Sequence, residues 1–160
     1  MLDESGEGVG RAIVMDLGSA AQVPLRITSR RQALDVQDEA ATNCSAPYRA
    51  PELFEPPSDG TIDERVDVWS LGCTLYAMAF GWSPFESSVE GLKRLAILNG
   101  RFSFPEPCWR RGEAYSPSFC NLIEAMLIVD HEDRPALEDV LTGVDDLLQS
   151  GYTKPPAYRD

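Results

Sequence analysis

This sequence predicts a mainly α-helical fold with a short β-hairpin at its N-terminus, and three observations carry that reading. The stretch "TIDERVDVWSLGCTLYAMAFG" at 61–81 opens on the cap candidates Thr61 and Asp63, runs without a breaker and closes at Gly81, which describes one long helix. Three further helical segments follow at about 87–98, 117–129 and 135–149, separated by Pro- and Gly-rich sequence such as "NGRFSFPEPCWRRGEAYS". Near the start, "GEGVGR" places glycines at 6, 8 and 10 just ahead of the apolar run Ala12 to Met15. Alternating Gly with polar residues is hairpin-turn chemistry, and the third glycine falls one position too early for a phosphate-cradling G-x-G-x-x-G loop.

The elements follow in order. Ala12 to Met15 reads as a short strand covered on both faces, ending on Asp16 at a strand mouth, with Gly18 free to turn the chain away. From Ser19 to Ala46 the sequence is polar and weakly periodic, a long, partly ordered segment with one short helix at about 32–41. "PELFEPPSDG" forbids a regular element. In the long helix the apolar side chains at 66, 68, 69, 71, 73, 75, 76, 78, 79 and 80 surround the axis, which marks a helix at the centre of the domain. The final "GYTKPPAYRD" reads as a frayed tail, 150–160, behind a domain at 1–149.

Composition narrows the function classes. A chain of 160 residues with 43% hydrophobic content suits one domain. Fourteen basic against 26 acidic residues give a net charge of −12, which repels phosphate backbones and argues against nucleic-acid binding. Cys44, Cys73, Cys108 and Cys120 are scattered without a C-x-x-C pair, so reduced thiols in a cytoplasmic setting are expected, with neither zinc site nor disulfide framework. No apolar run approaches the roughly 18 residues of a membrane helix, and "MLDESGEGVG" has no signal-peptide character. Direct membrane insertion is not expected. His131, the single histidine, sits in "VDHEDRP" and reads as a half-exposed structural residue.

Four stretches bear on chemistry: Asp16-Leu17-Gly18, "YRAPE" at 48–52, "DVWSLG" at 67–72 and "DRP" at 133–135. In this order and spacing they resemble the eukaryotic protein kinases, in which an Asp-Phe-Gly opens the activation segment that Ala-Pro-Glu closes. "DLGSA", "SRRQAL", "YRAPELF" and "IDERVDVWSLGCTLYAMAFGWSPFE" look most like the Numb-associated kinase family, in its lipid-anchored Golgi serine/threonine branch. The resemblance implies the C-terminal, large lobe of the kinase fold. It implies that Asp16 holds the Mg²⁺ bridging the ATP phosphates, with Leu17 as an apolar peg where the family has Phe. It places Ser45, Tyr48 and Arg49 in the activation segment and substrate loop. Glu52 and Arg134 match the family's buried ion pair, and Asp67 the acid that receives backbone N–H bonds from the catalytic loop.

A kinase also needs a glycine-rich lid, a phosphate lysine, its glutamate partner and a His-Arg-Asp loop, none of which these 160 residues contain; Lys93 and Lys154 both follow the activation segment. The catalytic base is therefore absent. Two readings follow. In the first, the chain is part of a serine/threonine kinase that uses ATP and Mg²⁺, its Met1 internal, an alternative start or a misplaced boundary, and it binds neither by itself. In the second it is a catalytically dead interaction module. An in-frame His-Arg-Asp loop encoded just upstream would decide for the first. Protein substrates or regulators are the expected partners. Membrane or Golgi association would belong to a complete lipid-anchored form, since Met1-Leu2 is not the Met-Gly start of a myristoylated chain.

Overall fold

The computed structural model describes residues 2–3, 11–105, 109–110 and 113–149. Among them helices dominate, joined by four two-stranded antiparallel sheets. Strands β1 (Leu2–Asp3) and β2 (Arg11–Ala12) pair as the N-terminal hairpin, Leu2 opposite Ala12 and Asp3 opposite Arg11. Its glycines, the tail 150–160 and Cys108 lie outside the described residues. β3 (Leu25–Ile27) leads into α1 (Arg30–Asn43), then come α2 (Pro51–Phe54) and β4 (Gly60–Ile62), which pairs back onto β3 with Ile27 opposite Gly60. That pairing brings the segment after Asp16 against the start of α3 (Arg65–Phe80). β5 (Glu86–Ser87), β6 (Gly91–Leu92), α4 (Arg94–Leu98), β7 (Trp109–Arg110), β8 (Glu113–Ala114), α5 (Pro117–Met126) and α6 (Leu137–Gln149) complete the order.

α3 is the scaffold. One face carries Trp69, Tyr76 and Phe80 into an aromatic cluster with Phe85, Phe102 and Phe104; Trp69 stacks on Phe85 at 5.3 Å and Tyr76 meets Phe80 at 4.7 Å. Another meets α5 and α6 through Val68, Met126 and Val140. A Cβ on Gly72 would stand 2.9 Å from Met126 Cβ, so only glycine lets α3 and α5 come this close. A smaller cluster of Ile27, Ala33 and Ile62, with Val36 and Leu53, seats α1 on the β3–β4 pair.

Several expectations need correction. "PELFEPPSDG", expected to hold no regular element, carries α2 over Pro51–Phe54, since a proline is tolerated in a first helical turn, and its Gly60 opens β4. Thr61, a cap candidate for the long helix, lies in β4, so α3 starts at Arg65, whose N–H the other candidate, Asp63, accepts at 3.0 Å. The strand predicted over Ala12 to Met15 stops at Ala12, and Ile13, Val14 and Met15 are exposed, because no described element packs over them. The segment 19–46 carries more regular structure than expected, β3 and the 14-residue α1: Ser29 caps α1 by accepting the Gln32 N–H, Gln32 Oε1 accepts the Thr28 N–H, and Ala33 and Ala40 make a narrow buried stripe that small side chains hid from the periodicity. The helix predicted over 87–98 is short, confined to α4, because Ser87 Oγ accepts the Glu90 N–H and Gly91 at φ 68° turns the chain into the β5–β6 hairpin. Finally, α3 is not surrounded: Leu71 and Met78 face outward, at 39% and 74% exposure. Trp69 and Tyr76, where an uncovered surface would follow from the missing catalytic loop, are instead buried, sealed by Phe85 and by Phe102 and Phe104.

Candidate functional site

Arg134 makes five side-chain hydrogen bonds. Its guanidinium is fully buried and uses all of its N–H groups: Nε donates to Ile128 O at 2.9 Å, Nη1 to Glu52 Oε1 at 2.8 Å and Arg65 O at 2.7 Å, Nη2 to Glu52 Oε2 at 3.1 Å and Val129 O at 3.2 Å. The two parallel bonds to Glu52 form a bidentate fork. Arg134 also lies 5.2 Å from the Trp69 ring, so the first turn of α2, the start of α3 and the loop before α6 share one charge centre. Beside it, burial pushes the Cys73 thiol up to about 12, with the Arg134 charge pulling weakly the other way.

Upstream of Glu52 the loop 44–49 forms a 3₁₀ turn over Ala46–Tyr48. Its carbonyls are caught by side chains from three places. Arg49 Nη2 donates to Cys44 O at 2.7 Å, Ser83 Oγ to Pro47 O at 3.0 Å and Ser70 Oγ to Tyr48 O at 2.9 Å. Arg49 is buried, stacked 4.7 Å from the Phe54 ring, and closes the end of α1, where free carbonyls and the helix dipole favour a cation. Pro47 and Pro51 cannot donate backbone bonds, which is why side chains take over this work.

Ser45, Tyr48, Arg49 and Asp67 are brought together around one cavity of about 390 Å³, which Ser19, Cys44 and Ser70 also line. Its walls join the segment after Asp16, α1 and the first turns of α3. A wider cleft of about 880 Å³ lies elsewhere, among Tyr76, Trp82, Lys93 and Arg101, and no sequence-predicted site residue lines it.

Asp16 stands apart from that cavity. It is exposed, and at φ 60°, ψ 69° it is the one non-glycine residue with positive φ among the described residues, a strained state that short Asp tolerates. Leu17 beside it is 72% exposed and packs into nothing described, so the expected apolar peg is not formed. Among the described residues no three His, Cys, Asp or Glu converge on a point. Mg²⁺ demands a near-octahedral set of oxygens, so one exposed carboxylate does not make its site, and the residues present do not by themselves fit Mg²⁺-ATP. His131 is partly buried, its carbonyl accepting from Arg65 Nη1 at 3.2 Å.

Sequence reasoning missed Ser70 and Ser83. Both lie in stretches singled out for their resemblance to the kinase family, "DVWSLG" and "GWSPFE", and the signal was present: a small hydroxyl among apolar neighbours must find an acceptor once buried.

Residues 1–144 match the family described as "Protein kinase domain". The chain is similar to Serine/threonine-protein kinase ppk13 of Schizosaccharomyces pombe, 39% identical over 135 residues, covering 83% of this chain and 38% of that protein. It is similar to Serine/threonine-protein kinase 16 of Mus musculus, 38% identical over 149 residues, covering 92% of this chain and 45% of the relative. Serine/threonine-protein kinase ENV7 of Saccharomyces cerevisiae is 35% identical over 141 residues, with 86% and 37% covered. The chain thus spans less than half the length of these relatives. No described helix is long and apolar enough to cross a membrane. With a kinase match over nearly its whole length and serine/threonine kinases as its relatives, the chain belongs to the protein kinase domain family.

Proposed function

We propose that this chain is the activation-segment and large-lobe part of an ATP-dependent kinase that phosphorylates serine and threonine hydroxyls of proteins. In this reading Ser45, Tyr48 and Arg49 form the loop against which the protein substrate lies. Glu52, Asp67 and Arg134 are structural, and Asp16 contributes one carboxylate to Mg²⁺ once other kinase residues supply the rest. ATP and Mg²⁺ belong to that complete assembly. The complete protein would work in the cytoplasm on protein substrates or regulators, with Golgi or other membrane association for a lipid-anchored form.

The observation that carries the reading is the Glu52–Arg134 fork. It ties the end of the segment that begins at Asp16 to the start of α3 and the loop before α6, so that loop 44–49 is presented on a rigid base. The test compares the 160-residue chain with a form extended upstream through the preceding kinase-domain residues, by calorimetric Mg-ATP titration and by phosphorylation of a generic Ser/Thr protein. The chain alone is expected to be silent in both, and the extended form active and silenced by Asp16→Ala. Micromolar ATP binding by the chain alone, or an extended form indifferent to Asp16→Ala, would overturn the proposal.

A further inference from the structure

We propose that Ser83 is a positioning residue, whose single hydroxyl proton fixes the loop 44–49 in the register a protein substrate needs. The inference rests on the kinase reading for its functional consequence, while its structural half stands on the bonds themselves.

Among the described residues, loop 44–49 has little backbone bonding of its own: Tyr48 N–H donates to Ser45 O at 3.0 Å and Arg49 N–H to Ala46 O at 3.3 Å. Ala46 and Tyr48 pack against the core beside α3, and the register of the loop there is held by the side chains that bond its carbonyls, which are not equivalent. Ser70 Oγ has one proton and two acceptors in reach, Tyr48 O at 2.9 Å and Val66 O at 3.0 Å on its own helix. Losing the loop bond leaves Ser70 satisfied by the helix carbonyl, a common arrangement for helical serine. Ser83 has no such alternative. It is 4% exposed, its lone pair already receives the Phe85 N–H at 3.3 Å, and its proton goes to Pro47 O at 3.0 Å. A buried hydroxyl in this state keeps its acceptor, because the unsatisfied form is costly on both sides of the bond.

Ser83 is also anchored where the loop is not. Phe85, whose N–H it accepts, is fully buried and stacked face to face on Trp69, with an interplanar angle of 7°. Trp69 in turn carries the Arg134 guanidinium over its ring. The chain of contacts therefore runs from the Glu52–Arg134 fork through Trp69 and Phe85 to Ser83 and so to Pro47. It reaches the middle of the 3₁₀ turn, between Ser45 and Tyr48, where a small displacement is felt by whatever rests on that turn.

The test uses Ser83→Ala, with Ser83→Thr as the variant that keeps the hydroxyl and Ser70→Ala as the one whose hydroxyl is shared. Hydrogen exchange on the 160-residue chain reads the Tyr48 and Arg49 amides, and steady-state kinetics on the upstream-extended form reads KM for a peptide substrate and for ATP separately. Ser83→Ala is expected to speed exchange at these amides more than Ser70→Ala does. It should also raise the peptide KM about fivefold, the worth of one hydrogen bond, leaving the ATP KM unchanged and with Thr restoring wild-type values. A variant that merely unfolds more easily would lower the active fraction and move neither KM. Equal effects of Ser70→Ala and Ser83→Ala, or unchanged exchange at both amides, would overturn the positioning role. An extended wild-type form that transfers no phosphate would instead refute the kinase reading, with the exchange data still deciding whether Ser83 holds the loop.

Discussion

Arg134 and Glu52 show how much one pair of residues can organise. With no N–H of the guanidinium left over, removing either partner strands a buried charge amid carbonyls or leaves a carboxylate unpaired. Arg134→Ala is therefore expected to cost about 3–5 kcal/mol, against under about 1 kcal/mol for a solvated pair, as urea denaturation would read. Arg134→Lys should recover little, since an ammonium cannot reproduce the planar fork. Cys73 next to it gives a pH-dependent expectation. Its thiol ionises near 9.0 when unfolded and only near 12 in the fold, so the folded state holds the proton more tightly. Stability from this group is fully present below pH 9 and falls as pH rises from there toward 12, by up to about 1.4 kcal/mol per pH unit. Denaturation midpoints between pH 8 and 11 should show that decline, and Cys73→Ala should remove it; an identical decline in the variant would contradict the assignment.

At the scale of elements, the α3–α5 contact is set by one missing side chain. Gly72→Ala would put a methyl 2.9 Å from Met126 Cβ and 3.1 Å from Leu127 Cδ2; the Leu127 side chain can rotate away, but Met126 Cβ cannot move without shifting α5. The expected loss is about 1–3 kcal/mol, measurable by thermal melting, with the near-ultraviolet signal of the aromatic cluster reporting the displacement. A neutral outcome would mean that α5 slides freely. The long helix was legible because nothing in 65–80 breaks it and Gly81, at φ 90°, ends it as a left-handed cap. The segment over 86–92 misled because its apolar spacing is compatible with a helix, whereas Ser87 and Gly91 prefer a turn and the Lys93 N–H is captured by Phe85 O at 2.8 Å. α1 was underestimated for the opposite reason: its buried stripe is Ala33 and Ala40, whose weak hydrophobicity barely registers until Leu53 and Ile62 cover it.

For the whole molecule the decisive feature is where apolar surface remains. Val14 at 85%, Met15 at 62% and Leu17 at 72% exposure lie within four consecutive residues, and Met78 at 74% and Leu141 at 57% add further apolar side chains in water. A net charge of −12 opposes association without covering these side chains. Sedimentation velocity at micromolar concentrations is expected to show concentration-dependent association of the 160-residue chain, strengthened by added salt as the charge is screened. A single monomeric species across that range, unfolding reversibly in one transition, would contradict this.

The sequence by itself determined the family, the central helix and the order of the site segments, because each rests on local information: an uninterrupted helical run, a cap, and short motifs whose spacing survives without knowledge of packing. It pointed to Glu52 and Arg134 only through resemblance, since nothing local relates residues 82 positions apart. The tertiary structure alone decided which face of α3 is covered. Phe85, Phe102 and Phe104 return over Trp69 and Tyr76, whereas Leu71 and Met78, equally apolar in the sequence, are left in water. It also decided that Ser70 and Ser83 hold the loop, because a hydroxyl's role is fixed by the acceptor it meets, and a carbonyl 22 or 36 residues away is visible only once the chain has folded.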